Sequence, residues 1–124
     1  MTQPEELSAG PVLDLSELLA RVENDYELLR ELITIAKVEI PRLLELLHEA
    51  AAQADMKSIE NSGHSLKGML LYLSAARAAA AAGHLEQLGR SGDMTTLKQA
   101  IALFESEVVS LMPELEACMA NTPR

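Results

Sequence analysis

The chain contains no tryptophan, only two tyrosines and a single phenylalanine among its 124 residues. A core so poor in aromatics must be built from Leu, Ile, Val, Ala and Met, which favours helix packed on helix over an aromatic-rich sheet. A single cysteine, Cys118, excludes an internal disulfide and a cysteine-based zinc site. No apolar run is long enough to span a bilayer, and no basic-then-apolar leader opens the chain. A cytoplasmic protein without membrane insertion is expected. Basic residues are scarce too: 10 Lys and Arg stand against 19 Asp and Glu, a net charge of −9 that repels nucleic acid and anionic lipid.

What is present suffices for one domain. Hydrophobic residues make up 48% of the chain, enough for a globular core. That domain is expected over 13–120, between a flexible leader at 1–12 and a short tail at 121–124. Charge is unevenly spread along it. Residues 1–56 carry 12 acidic and 4 basic groups, whereas residues 57–98 carry 3 acidic and 5 basic. The middle third is therefore where an anion or an acidic partner would approach.

Asp14-Leu15-Ser16-Glu17 has the spacing of a capping box and predicts a short helix over 14–22. Asn24 and Glu27 repeat that spacing ahead of a longer helix over 25–53. Its apolar seam runs Leu29, Leu32, Ala36, Ile40, Leu43, Leu47, Ala50, Ala54, and Pro41 should kink it. Asp55 is placed to cap a third helix that carries Ile59, Leu66, Leu70 and Leu73 inward, and Ser74 to cap a fourth. Arg90-Ser91-Gly92-Asp93 has loop composition, with Gly92 ending one helix and Asp93 capping the last, over 94–120. That last helix has the seam Leu97, Ile101, Phe104, Val108, Leu111, Leu115, Cys118, with Pro113 bending it. No segment alternates with period two. The fold class is all-α: an antiparallel four-helix bundle with an additional short N-terminal helix.

At about 100° per residue, Leu66 points almost opposite to His64, so a core-facing Leu66 turns His64 outward. Lys57, Glu60, Asn61, Lys67, Gly68 and Leu71 share that outward side. The set has a chemical use. Neutral imidazole is a competent nucleophile near neutrality, and attack on phosphorus needs in-line access from solvent or a partner's cleft. Gly68 leaves room beside the ring, although glycine inside a helix costs about 1 kcal/mol relative to alanine. Lys67 offers phosphoryl oxygens a flexible cation, and Leu71 offers apolar contact. Taken singly, each has an ordinary reading: a surface histidine, a solubilising charge, an exposed leucine, a glycine at a helix contact. His48 and His84 lack the Lys-Gly context, no metal-ligand spacing links the three histidines, and no Gly-rich phosphate loop occurs.

His64-Ser65-Leu66-Lys67-Gly68, followed by Leu73-Ser74-Ala75 and then Leu85-Glu86, resembles the pattern of histidine-containing phosphotransfer (HPt) domains. The resemblance covers about residues 14–115 and departs from the family at Ser74, where glycine is usual, at the slim Ala78 and Ala82, and in the apolar Met69–Tyr72 stretch. It implies a four-helix bundle in which His64 is the phospho-accepting nucleophile, Lys67 steadies the phosphoryl group and Gly68 keeps the approach open. Lys57, Glu60, Asn61 and Leu71 become partner-docking residues. The implied partners are receiver domains of response regulators and a hybrid sensor histidine kinase, with Mg²⁺ supplied by the receiver and no cofactor held by this chain. On this reading the chain is a monomeric phosphotransfer intermediate rather than an autonomous enzyme, either free-standing or an HPt segment of a larger hybrid kinase. The rival is a helical adaptor that binds a receiver or kinase without relaying phosphate; an intact His-x-Leu-Lys-Gly argues against it.

Overall fold

Three aspartates begin the first three helices of the protein. Asp14 accepts a hydrogen bond from Glu17 N, Asp25 from Leu28 N and Asp55 from Ser58 N, each satisfying a backbone donor that the helix itself leaves open. The computed structural model describes residues 10–122, so the predicted leader before residue 10 and the tail beyond residue 122 lie outside the described residues. Its helices are α1 (Leu15–Arg21), α2 (Tyr26–Ala52), α3 (Met56–Tyr72), α4 (Ala76–Ser91) and α5 (Leu97–Asn121). No strand occurs among the described residues.

Helices α2 to α5 form a closed ring of neighbours, with α3 against α4 the most intimate pair, and α1 lies at one end. Salt bridges from Lys37 to Glu116 and from His48 to Glu105 run in opposite chain directions, so α2 and α5 are antiparallel. The core carries the predicted seams: Ile59, Leu66, Leu70 and Leu73 in and beyond α3, and all seven seam residues of α5, are buried. Two seam positions of α2 need correction. Ile33 is fully buried while Leu32 is only partly so, and Ala54 is exposed beyond the helix end. Both Pro41 and Pro113 sit on exposed positions of helices that continue through them. The carbonyls their rings leave without a donor can there be met by water.

Three predicted caps are also corrected. Asn24 does not cap α2; it adopts φ +59 in the turn, and its neighbour Asp25 does the capping. Asp93 accepts from Thr95 N, but α5 starts later, with Thr96 at its N-cap and no side-chain bond there. Ser74 does not cap α4, whose N-cap is Ala75. Instead Ser74 takes φ +62, with Ser74 N bonded to Leu71 O and Ala75 N to Leu70 O. Those two bonds are the Schellman closure of α3, in which the left-handed position favours glycine.

Helix α1 holds this closure in place. Arg21 Nη1 donates to Leu71 O, Tyr72 O and Ser74 Oγ at 2.9, 2.6 and 2.8 Å, and Asp14 N donates to Ser74 O at 3.0 Å. A cation is thus placed on the carbonyl end of α3, where the helix dipole is negative. The guanidinium also lies 5.6 Å from the Tyr72 ring centre.

Candidate phosphotransfer site

The α3–α4 contact is made backbone to backbone. A Cβ added to Gly63 would lie 2.7 Å from Glu86 N and 3.0 Å from Ala82 O, and one added to Gly89 would lie 2.7 Å from Glu60 Cα and 2.8 Å from Met56 O. Only glycine permits that approach. Small Ala78 and Ala82 are buried in the same seam of α4, which is the slimmer packing expected of them. Each glycine directly precedes a side chain of the site, Gly63 before His64 and Gly89 before Arg90.

The His64 side chain is 70% exposed, on the side of α3 opposite the fully buried Leu66. Its Nδ1 lies 2.9 Å from Glu86 Oε2 on α4. The Glu86 side chain is only 7% exposed and is gripped by two cations as well, Lys67 Nζ at 2.7 Å from Oε1 and Arg90 Nη2 at 3.0 Å from Oε2. The Lys67 ammonium, followed by the His64 hydrogen bond, holds the Glu86 carboxyl below its ordinary range against the opposing effect of burial. An ionised Glu86 only accepts, so Nδ1 is the donor, and a neutral ring then keeps its lone pair on Nε2.

The remaining predicted residues divide. Gly68 is exposed, and a Cβ there would meet nothing within 4 Å, so it makes no helix contact and leaves the ring's flank open. Lys67 lies beside the ring but is tied to Glu86, its stem passing Gly83, where a Cβ would come within 3.2 Å of Lys67 Cδ. Glu60 is mostly covered, with its carboxylate taken by Arg90 Nε at 3.1 Å and Lys57 Nζ at 3.3 Å. These two partners, Arg90 first, hold its carboxyl low. Asn61 is exposed on the same helix, and Leu71 is exposed at its end together with Tyr72. Of the apolar Met69–Tyr72 stretch only Leu71 and Tyr72 face outward; Leu70 is fully buried and Met69 partly.

His48 and His84 lie outside this cluster: His48 pairs with Glu105 across α2 and α5, and His84 is exposed on α4. Cys118 is buried, which pushes its thiol pKa up. Among the described residues no three His, Cys, Asp or Glu side chains gather as a metal site, and no helix is long and apolar enough to cross a membrane.

Sequence reasoning did not assign roles to Glu86 or Arg90. A usable signal existed. In a hairpin of two antiparallel helices, residues equally distant from the turn meet, and His64 and Glu86 stand eleven positions either side of Ala75. Lys67 and Gly83 obey the same rule, eight positions either side.

The arrangement is a solvent-facing imidazole oriented by a buried carboxylate that two cations also grip. No curated protein matches the chain. The fold is similar to the crystal structure of histidine-containing phosphotransfer protein B (HptB) from Pseudomonas aeruginosa, with a TM-score of 0.76. The two sequences are 22% identical, and the match covers 93% of this chain and 100% of that one. The Hpt domain family matches residues 14–122, from the cap of α1 to the end of α5. The chain therefore belongs to the Hpt domain family, the histidine phosphotransfer proteins of two-component signalling.

Proposed function

We propose that this chain is a phosphorelay intermediate that accepts a phosphoryl group on His64 Nε2 from a receiver-domain aspartate and passes it to the aspartate of another receiver. The observation that carries this reading is the His64–Glu86 hydrogen bond at 2.9 Å, which commits the proton to Nδ1 and leaves Nε2 free toward solvent. In the forward step the Nε2 lone pair forms the P–N bond as the P–O bond of the aspartyl phosphate breaks, and the aspartate leaves as carboxylate. No proton moves at Nε2. The positive charge that appears on the ring faces Glu86, which stabilises it. Lys67 supplies a cation to the phosphoryl oxygens, and open space at Gly68 admits the partner.

The receiver brings the Mg²⁺ and the acidic pocket. Leu71 and Tyr72 provide apolar contact for docking, with Lys57 and Asn61 at the polar rim. A hybrid sensor kinase upstream supplies the first phosphorylated receiver. The relay runs in either direction, as the partners dictate.

Incubation with a phosphorylated receiver domain is expected to label the chain with an acid-labile, base-stable phosphate. His64→Gln should abolish labelling while leaving helicity and melting unchanged, and persistent labelling in that variant would sink the assignment. Gly68→Gln should slow transfer without unfolding the domain. Binding to receivers without labelling would establish the adaptor instead.

A further inference from the structure

The charged circuit extends past the groups that touch His64. Glu86 is held from both ends of its helix contact: Lys67 takes Oε1 from one side, and Arg90 takes Oε2, the oxygen that already accepts from His64, from the other. Arg90 also sends its Nε to Glu60 Oε2 on α3, and Lys57 closes the chain on Glu60 Oε1. One guanidinium therefore spans two helices, with different N–H groups on two carboxylates, a use suited to arginine's fixed fork. The stem of Arg90 starts beside Gly89, whose backbone is pressed against Glu60, so its origin cannot drift.

The three cations and two carboxylates of this circuit leave it one positive charge in excess. A phosphoryl group on Nε2 adds about −2. Lys67, a flexible point charge, is the cation free to move toward it. Glu86 Oε1 then loses its partner just as the ring has become cationic and depends most on the carboxylate.

We propose that Arg90 is the positioning residue that keeps Glu86 aimed at Nδ1 through this exchange, with Glu60 as its anchor on α3. The proposal rests on His64 being the phosphoryl carrier. It assigns Glu60 an effect on a ring that it does not touch.

Two readouts test it. The first is ¹⁵N NMR of the His64 ring at neutral pH, which distinguishes the Nδ1–H from the Nε2–H tautomer and needs no phosphate. The second is the rate of His64 labelling by phosphoramidate, a small donor that needs no docking surface. Wild type should show the Nδ1–H form. Arg90→Ala should show mixed tautomers and label about tenfold more slowly, by analogy with the lower end of the loss when outer partners of metal-bound histidines are removed. Arg90→Lys should recover part of both, because the charge returns without the fork. Glu60→Gln should shift both readouts in the same direction, and that shift should vanish in the Arg90→Ala background, as a coupled pair requires.

Wild-type tautomer and rate in Arg90→Ala would overturn the proposal. So would a Glu60→Gln effect that persists without Arg90. Should Arg90→Ala fail to fold, the Arg90→Lys and Glu60→Gln spectra decide the matter. Absence of labelling in wild type would count against His64 as carrier, while the tautomer shift would still decide the role of Arg90.

Discussion

Two glycines five residues apart on α3 should respond to alanine in opposite ways. Gly68 faces open space, so Gly68→Ala meets no neighbour and gains about 1 kcal/mol of helix propensity. Gly63→Ala makes the same propensity gain but drives its Cβ to 2.7 Å from Glu86 N and 3.0 Å from both Ala82 O and Glu86 Cα. All three neighbours are backbone, so no rotamer change relieves the clash and the helices must part. Overpacking of that kind costs about 3 kcal/mol at the upper end of the usual range, leaving a net loss of about 2 after the propensity gain. The two variants should therefore differ by about 3 kcal/mol, or roughly 10 °C in Tm for a domain of this size. Urea and thermal denaturation followed by circular dichroism measure the difference directly. A Gly63→Ala protein that melts with or above the parent would refute the rigid backbone contact that sets the His64–Glu86 geometry.

Other expectations concern the end of α3 and the buried carboxylate. Arg21→Ala removes three hydrogen bonds to the α3 terminus and should cost about 1–2 kcal/mol in urea denaturation; an unchanged midpoint would mean the clamp is idle. Ser74→Gly relieves a left-handed residue by about 1 kcal/mol but loses the hydroxyl bond from Arg21, so it should come out near neutral. Ser74→Ala keeps the strain, loses the bond and should be the less stable of the two by thermal melting. Glu86 has its folded pKa depressed below 4.5, so its stabilising contribution is present above that value and lost as pH falls through the lower folded one. The stability gap between wild type and Glu86→Gln should accordingly be open at pH 7 and close in acid, and a gap independent of pH would contradict the ionised pairing.

The helices were legible because burial imposes a period that the residues carry openly: every seam position of α5 from Leu97 to Cys118 is buried. Helix starts were legible where one aspartate stood alone, as at Asp14 and Asp55. They were misread where two capable residues adjoin: Asn24 takes the left-handed φ of the turn, and Asp25, in an extended conformation, does the capping. Ser74 was misread for a related reason. Serine both caps helices and tolerates turns, and the choice was made by Arg21, which lies 53 residues away along the chain. His64, Lys67 and Gly68 share one helix and one face, so local spacing brings them together. Glu86 and Arg90 reach them only through the packing of α4 on α3, which no period within a single helix encodes.

The glycine contact between α3 and α4 also bears on how this protein handles time. On the proposed relay, a donor and an acceptor bound in turn would meet the same imidazole at the same angle, because Gly63 and Gly89 pack the two helices backbone to backbone. In that relay the chain would work as a plain coupling between its visitors. The order of events along such a relay would then be set by the lifetimes and concentrations of those visitors rather than by a rearrangement of this hairpin.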